Sequence, residues 1–465
     1  MQDLTTGSVT SHLLKTMSFM LVSMVFQTLY VLVDLYWVGR LGTDAVAAVA
    51  ISGNLMFLVL AATQMLAVGA TTLVSHAAGR KDRERANVVF NQAQGLSTFA
   101  GLAFLVITYA GSGAFARAMS ADEGTTRQAI EYLAWMVPAM ALQFLMVAMA
   151  AALRGTGNFK PGMIVQTATV IINIVLAPIL IFGWGTGRPM GVAGAALASL
   201  LAIGFGVIWL ARYFIGKDTF LTFMPQHWKP DLKLWADMLK IGLPSGAEFA
   251  MMALYLGVVY AVIRPFGAPA QAGFGIGLRI MQSGFLPVVA LGFAVAPVAG
   301  QNFGARRPDR VRQTFKVAAT MAIVGMATFA LLAHIAPAAL IGIFSDDPAV
   351  IAVGDEYLRI SSWNFVASGL TFVTASMFQA MGNTLPSLVT SFTRIIVVAI
   401  PAFLLSRLPG FEMRWIWYLS VLAVTVQVSL NLLLLQREFR VRLAFAPRAE
   451  APRAQEPAPA GGVSA

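Results

Sequence analysis

Long apolar runs separated by short polar segments dominate the chain. A helix that spans a membrane needs about 20 predominantly apolar residues, and twelve runs reach that scale. They cover roughly residues 13–38, 46–76, 88–112, 129–153, 162–184, 190–214, 238–263, 270–300, 314–338, 355–381, 386–406 and 415–436. These runs are much longer than the alternating strands of a transmembrane barrel, which hold about ten residues each. The pattern therefore predicts an all-α integral membrane protein with twelve transmembrane helices.

Composition agrees with this prediction. Of 465 residues, 58% are hydrophobic and 11% are charged, whereas about 25% of a soluble domain is charged. The chain has no cysteine, which excludes a disulfide framework, and its four scattered histidines do not predict a metal-dependent enzyme. The first run contains Lys15 and no small-residue cleavage site, so we expect a retained helix rather than a signal peptide.

Lysine and arginine are concentrated in alternate connections between the runs. If the N-terminus is inside, the inner segments hold 22 of them and the outer segments hold 7. Short cytoplasmic loops carry an excess of these residues, so both termini are expected in the cytoplasm of a multi-pass inner-membrane protein. The net charge of +11 then reflects topology first and contact with anionic lipid second, and no nucleic-acid partner is expected.

An internal repeat joins the two halves of the sequence. It pairs Gly42 with Gly267, Gly79 with Gly304, Glu131-Tyr132-Leu133 with Glu356-Tyr357-Leu358, Gly157-Asn158 with Gly382-Asn383, and Pro161 with Pro386. The difference in residue number is the same for every pair, and we call this constant interval, from Gly42 to Gly267, the repeat spacing. Near the first basic loop, Asp82-Arg83 is expected to correspond to Asp309-Arg310, with two residues inserted. A fixed spacing over so long a range predicts a duplicated unit.

The repeat predicts two six-helix, pseudo-symmetric lobes. The first covers residues 1–214 and the second residues 238–436, with a cytoplasmic linker at 215–237 and a disordered cytoplasmic tail at 437–465. Each half has an even number of spans, so both copies enter the membrane in the same sense, as in parallel-repeat transporters. Such lobes can rock around a central cleft. A repeat with a purely structural role is the alternative.

Two carboxylates lie well inside the apolar runs, and each lies in the first helix of its half. They are Asp34 and Glu248. Ionisable residues at membrane depth are functional candidates. A structural alternative remains for both acids, because Arg279 and Arg394 are also deep and could neutralise them.

Polar residues from other helices extend the candidate site in the first lobe. Asn173 and Ser199, together with Asp34, could surround Na⁺ with oxygen atoms. Alternatively, Asp34 could take up a proton, because desolvation disfavours its charged form. Asn173 could instead only join helices by a hydrogen bond, and Ser199 could be a small packing residue. Six residues are candidates for the wall of a substrate cavity: Gln27, Tyr30, Tyr36, Gln64, Met252 and Met281.

A set of longer segments covers nearly the whole chain apart from the tail. They are VDLYWVGRLGTDAVAAVAI, ALRGTGNFKPGM, INIVLAPILIFG followed by GVAGAALAS, IGLPSGAE, and GLRIMQSGFLPVVALGFAVAPVAGQNFGARRPDRV. In these segments the chain resembles the multidrug and toxic compound extrusion (MATE) transporters, and more closely their DinF-like branch. The resemblance implies two six-helix lobes around a central cavity and the export of amphipathic or cationic compounds in exchange for H⁺ or Na⁺.

The resemblance also implies a cation site in the first lobe, at Asp34, Asn173, Ala177 and Ser199. The DinF-like branch has a second carboxylate where this chain has Ala177, and a threonine where it has Ser199. The loss of one charged ligand favours proton coupling at Asp34 over Na⁺. In the second lobe, Glu248 lies about one turn before the seventh-helix acid of NorM-like members, so it is a second coupling candidate.

The resemblance, together with the repeat, thus implies a secondary active multidrug efflux antiporter that works by alternating access. It has no GxxxxGK[ST] phosphate-binding loop and no Ser/His/Asp arrangement with motif spacing, so we expect neither ATP as the energy source nor an enzyme. No cofactor is expected besides the coupling ion, and the protein is expected to be a monomer that binds small molecules and membrane lipid. The alternatives are a flippase for a lipid-linked precursor and a passive channel.

Overall fold

The computed structural model describes residues 1–120, 122–185, 187–216 and 219–445. Within these ranges the chain forms fourteen α-helices and no strand. The helices are Val9–Gly39 (α1), Thr43–Gly79 (α2), Arg83–Met119 (α3), Glu123–Gly155 (α4), Lys160–Phe182 (α5), Gly191–Ile215 (α6), Leu232–Ile263 (α7), Ala268–Gly304 (α8), Pro308–Ile335 (α9), Pro337–Gly342 (α10), Pro348–Ser361 (α11), Asn364–Ala380 (α12), Leu385–Leu405 (α13) and Arg414–Arg442 (α14).

Eleven helices in the described ranges are long and apolar enough to cross a membrane. The remaining predicted span, residues 355–381, is not one helix, because α11 ends at Ser361 and α12 begins at Asn364. The hydroxyl group of Ser362 donates to the carbonyl oxygen of Arg359 at 3.0 Å, a local bond that competes with the helical ladder. With α11 and α12 counted as one crossing, the fold is the predicted all-α membrane protein.

The helix boundaries follow the repeat spacing seen in the sequence. α8 begins and ends one repeat spacing after α2, and the α11–α12 pair begins and ends one repeat spacing after α4. Pro138, within α4, corresponds by this spacing to Trp363, where the second copy is broken. The first lobe therefore keeps a proline-containing continuous helix where the second lobe has two helices.

The loop between α2 and α3 corrects one detail of the predicted repeat. Lys81 has φ of 61° and its counterpart Arg306 has φ of 55°, and the helices that follow begin at Arg83 and Pro308. Both pairs of positions keep the repeat spacing unchanged, so the predicted two-residue insertion is wrong. Asp82 caps α3 through its side chain, whereas proline at the first position of α9 starts that helix without a side-chain cap.

The first helix of each lobe packs against both lobes. Leu13, near the start of α1, belongs to the core of the second lobe, whereas Val38, near its end, belongs to the core of the first. α7 does the reverse, because Met238 packs in the first lobe and Val259 in the second. A change in the packing of either helix is thus felt by both lobes.

The lobes meet at the end of the bundle that carries the N-terminus. There the hydroxyl group of Thr72 donates to the carbonyl oxygen of Gln379 at 3.1 Å, and His76 Nε2 lies 2.7 Å from the carbonyl oxygen of Ala380. A Cβ atom at Gly79 would overlap the Gln301 backbone, so α2 and α8 are in backbone contact. In the described ranges, the hydrogen bonds between the lobes all lie at this end.

The connections differ in part from the predicted boundaries. α6 ends at Ile215 and α7 begins at Leu232, and the linker between them is held by amide side chains of α3. Asn91 donates to the carbonyl oxygen of Thr222 at 3.0 Å, and Gln92 donates to that of His227 at 2.6 Å. α14 continues to Arg442, six residues into the predicted tail. The predicted disorder beyond residue 445 lies outside the described residues.

Candidate functional site

Gln27, Tyr30 and Asp34 lie on one face of α1, at positions i, i+3 and i+7. Exposure falls along this face, because Gln27 is exposed, Tyr30 is partly buried and Asp34 is only 9% exposed. The second half of α1 packs against α5 and α6 of its own lobe. Asp34 therefore enters the interior of the first lobe together with Tyr30.

A closed hydrogen-bonding group lies beside Asp34, and its centre is the hydroxyl group of Ser199. Tyr30 Oη lies 2.9 Å from Ser199 Oγ, and Asn173 Nδ2 donates to the same oxygen at 3.1 Å. Ser199 Oγ donates its own hydrogen to the carbonyl oxygen of Ala195 at 3.3 Å. Since a hydroxyl group has one hydrogen and two lone pairs, Tyr30 is the donor to Ser199, and the Ser199 hydroxyl group is fully satisfied.

The Asp34 carboxyl group is not satisfied in this way. Its Oδ1 atom is buried and has no hydrogen-bond partner among the described residues, and the nearly fully buried ring of Tyr132 lies close enough for electrostatic interaction. An ionised carboxylate without partners is costly in such surroundings. A proton or a bound cation would remove that cost, so the geometry provides a place for a positive charge.

The donor set suits a proton better than Na⁺. Ala177, one turn after Asn173, is fully buried and supplies no oxygen from its side chain. The Ser199 hydroxyl group has already used its hydrogen and both lone pairs. Asp34 is thus the one carboxylate at this cluster, and no group of three or more His, Cys, Asp or Glu side chains suited to a metal occurs in the described ranges.

Glu248, the second predicted coupling residue, lies apart from this cluster. It is partly buried and contacts Ser387 of α13. Neither Glu248 nor Asp34 makes an ion pair with Arg279 or Arg394 in the described structure. The structural alternative, in which a deep arginine neutralises either acid, therefore has no contact to support it.

The other candidates for the cavity wall are all exposed or partly buried. Tyr36 is 53% exposed and accepts a hydrogen bond from Arg40, whose guanidinium also lies 4.6 Å from the ring centroid. Gln27 and Met252 are exposed, and Gln64 and Met281 are partly buried. Their role as substrate contacts stays a prediction.

The second lobe holds a similar hydrogen-bonding group that the sequence patterns did not single out. Tyr255 Oη lies 3.0 Å from Ser420 Oγ, and Asn364 Nδ2 donates to that oxygen at 3.2 Å. The Arg394 guanidinium carbon lies 4.3 Å from the centroid of the Tyr255 ring. The repeat spacing, which pairs Tyr30 with Tyr255, was the available signal for this group.

Comparisons with known proteins agree with this architecture. The MatE family model matches residues 20–179 and 244–404. The chain is 27% identical over 414 residues to the "Probable multidrug resistance protein YoeA" of Bacillus subtilis strain 168, covering 88% of this chain and 89% of that protein. It is 25% identical over 403 residues to the "Multidrug export protein MepA" of Staphylococcus haemolyticus strain JCSC1435, covering 86% of this chain and 88% of that one.

A solved structure supports the fold independently. The outward-facing conformation of a multidrug resistance MATE family transporter superposes with a TM-score of 0.86 and 23% identity, covering 95% of this chain and 98% of that one. The two lobes, the apolar helices and the match of the family model in both halves lead to one identification. The chain is a multi-pass membrane transporter, not an enzyme, and it belongs to the MatE family.

Proposed function

We propose that this protein is a secondary active multidrug efflux antiporter of the cytoplasmic membrane. It exports amphipathic or cationic small molecules in exchange for protons, and it acts as a monomer. Relatives named for multidrug resistance and multidrug export support the efflux assignment. The finer assignment, proton coupling, is supported by the first-lobe cluster, where one buried carboxylate lies beside the fully hydrogen-bonded hydroxyl group of Ser199.

The observation that carries the proposal is the buried, unpartnered Oδ1 atom of Asp34. When Asp34 is neutral, burial in the first lobe costs little. When it is charged, a cationic substrate or a wetter arrangement of α1 compensates the charge. A proton can shift a conformational equilibrium only if it binds the two states with different affinity, and the burial of Asp34 provides that difference.

α1 connects this change to the rest of the molecule. Its first half packs in the second lobe and its second half, which carries Asp34, packs in the first. Repacking around Asp34 therefore alters how the lobes meet. The contact between the lobes at Thr72, His76 and Gly79 is called the seam here. With both termini in the cytoplasm, as the distribution of basic residues indicates, the seam lies on the cytoplasmic side.

Transport by the purified protein tests this proposal. Proteoliposomes loaded with ethidium, an amphipathic cation, are given an inwardly or outwardly directed pH gradient, a Na⁺ gradient or no gradient. We expect a pH gradient to drive ethidium transport by the wild type, and Asp34→Asn to lower that rate at least about tenfold. Equal ethidium transport by the wild type and Asp34→Asn under the pH gradients and under the Na⁺ gradient would refute the role of Asp34. An ethidium flux that is the same with and without each gradient would indicate a passive channel.

Glu248→Gln is the matched variant in the second lobe. Both substitutions remove one carboxylate charge from the first helix of a lobe and keep the shape of the side chain. If coupling resides in the first lobe, Glu248→Gln keeps a pH-driven rate within about twofold of the wild type. A loss as large as that of Asp34→Asn would assign coupling to both lobes.

A further inference from the structure

The second-lobe group of Tyr255, Asn364 and Ser420 repeats the first-lobe group but carries the opposite charge. In both lobes a tyrosine of the opening helix and an asparagine amide converge on one serine hydroxyl. Tyr255 lies one repeat spacing after Tyr30. By the same spacing, Asp34 corresponds to Val259, which is 2% exposed and lies in the apolar core. The acid of the first lobe thus has no counterpart in the second.

In the second lobe, an arginine rather than an acid lies beside the tyrosine. Arg394 lies on the side of α13 that also carries the buried residues Ser387 and Val398, and its guanidinium covers the ring of Tyr255. The position that corresponds to Arg394 in the first lobe is Thr169, a neutral residue. The two lobes therefore present similar neutral donors with charges of opposite sign.

Arg394 has no anionic partner in the described structure. It makes no ion pair and no hydrogen bond there, and its Nε atom is buried without a partner. Buried charges are normally paired, and an arginine at membrane depth marks a ligand path or a partner. Arg394 as a whole is partly exposed.

We infer that the interior of the second lobe is an anion-binding site that takes the carboxylate or phosphate group of an amphipathic molecule. The planar guanidinium of Arg394 binds such groups with two parallel hydrogen bonds. The Tyr255 and Ser420 hydroxyl groups and the Asn364 amide lie at the same place to complete the polar end. An apolar groove of about 400 Å³ between α7 and α13 begins about one turn further along these helices, at Val258 and Ala399, and suits an apolar body.

This site goes beyond the coupling proposed for Asp34, and it is tested by binding without any gradient. Purified protein in a maltoside detergent is titrated calorimetrically with octanoate, octyl phosphate or octyltrimethylammonium. We expect at least one of the two anions to bind the wild type, and Arg394→Met to weaken it at least about tenfold, as loss of a charge-assisted pair implies. A further titration with lysophosphatidylglycerol distinguishes the source, because a lipid headgroup site binds it more tightly than either short anion.

Two further variants keep the inference falsifiable. Arg407→Gln removes an exposed arginine near the end of the same helix and should leave anion binding unchanged. Tyr255→Phe keeps the positive charge of Arg394 and the aromatic ring. It should weaken anion binding by about three- to tenfold, because one hydrogen bond is lost. Absence of anion binding to the wild type, or equal binding to Arg394→Met, would overturn the inference. So would equal weakening by Arg407→Gln.

Discussion

The two lobes of this transporter have similar backbone folds but differ in the charge at their centres. Each places a tyrosine of its first helix on a serine of its last, 2.9 Å apart in the first lobe and 3.0 Å in the second. The first lobe adds Asp34 beside this pair, and the second adds Arg394. The two lobes thus share a neutral hydrogen-bonding frame but differ in the charge that lies beside it.

The lobes also differ in the helix that supplies the asparagine. Asn173 belongs to α5, whereas Asn364 is the first residue of α12, directly after the break at Ser362 and Trp363. The break in the second lobe therefore has a local consequence, because it places a polar side chain at Ser420. In the first lobe α4 is continuous, and the asparagine that contacts the serine comes from the next helix, α5.

The largest stability effect is expected at the seam that both lobes share. A Cβ atom at Gly79 would overlap the backbone carbonyl of Gln301, and neither group can rotate away. We expect Gly79→Ala to destabilise the protein by about 3 kcal/mol, the upper part of the range for overpacking, measured by thermal unfolding in detergent. Gly53→Ala is the control in the same helix, since nothing lies within 4 Å of a Cβ atom there. Equal unfolding temperatures for the two variants would show that the seam is not close-packed.

A matched pair of serine substitutions separates structure from coupling. Ser199→Ala and Ser420→Ala each leave a tyrosine and an asparagine without their acceptor, so each should cost about 1–3 kcal/mol of unfolding free energy. Only Ser199→Ala should also lower pH-driven ethidium transport, because only that serine adjoins the acid. Equal losses of transport in the two variants would contradict the division of roles between the lobes.

Restoring the missing acid should change the ion that the first lobe binds. Ala177→Asp places a second carboxylate one turn from Asn173. Two buried carboxylates repel each other unless a cation lies between them, so we expect Na⁺, and not K⁺, to raise the unfolding temperature of this variant. At a Na⁺ concentration ten times the dissociation constant the gain is about 1.4 kcal/mol. A variant that Na⁺ does not stabilise would show that more than one carboxylate separates this site from a Na⁺ site.

The smallest effect concerns the N-terminal segment that ties the lobes together. Asp3 Oδ2 lies 3.7 Å from Nζ of Lys81 in the first lobe. The backbone amide of the next residue, Leu4, donates a hydrogen bond to Oε1 of Gln301 in the second lobe at 3.0 Å. Burial alone would raise the pKa of Asp3, but hydrogen bonds from Thr5 and the charge of Lys81 outweigh it and hold that pKa below its ordinary value of 3.8.

A group whose pKa is lowered by folding stabilises the folded state above its unfolded pKa, and this contribution is lost as pH falls through the folded value. Asp3→Asn should therefore reduce the unfolding free energy by less than about 1 kcal/mol at pH 7. The difference from the wild type should shrink from about pH 4 downward. A difference of the same size at pH 7 and pH 3 would exclude an electrostatic role for Asp3.

The sequence predicted the helices and the repeat because both leave long-range signals. Apolar runs report lipid burial directly, and the repeat spacing survives at glycines such as Gly42 and Gly267, where φ is 111° and 87°. The break at Ser362 was not predicted, since hydropathy averages over about twenty residues and a two-residue interruption does not lower it. Local hydrogen bonds from serine decide that feature.

The candidate site was predictable only in part. Asp34, Asn173 and Ser199 stood out as polar residues in apolar helices, and the structure brings Asn173 and Ser199 into contact. The role of Tyr30 as the second donor to Ser199 depends on helix packing, which no residue pattern encodes. Arg394 was considered only as a partner for the two acids, because its position over Tyr255 is a tertiary contact between α7 and α13.

The most direct test of the central claim counts protons when a cationic substrate binds. Ethidium is titrated into purified protein by calorimetry near neutral pH, in buffers with different ionisation enthalpies, and the number of protons released per ethidium follows from the slope. If Asp34 exchanges a proton for the substrate, the wild type releases up to about one proton per ethidium, and Asp34→Asn releases none while Glu248→Gln behaves as the wild type. The same release from the wild type and from Asp34→Asn would contradict the account.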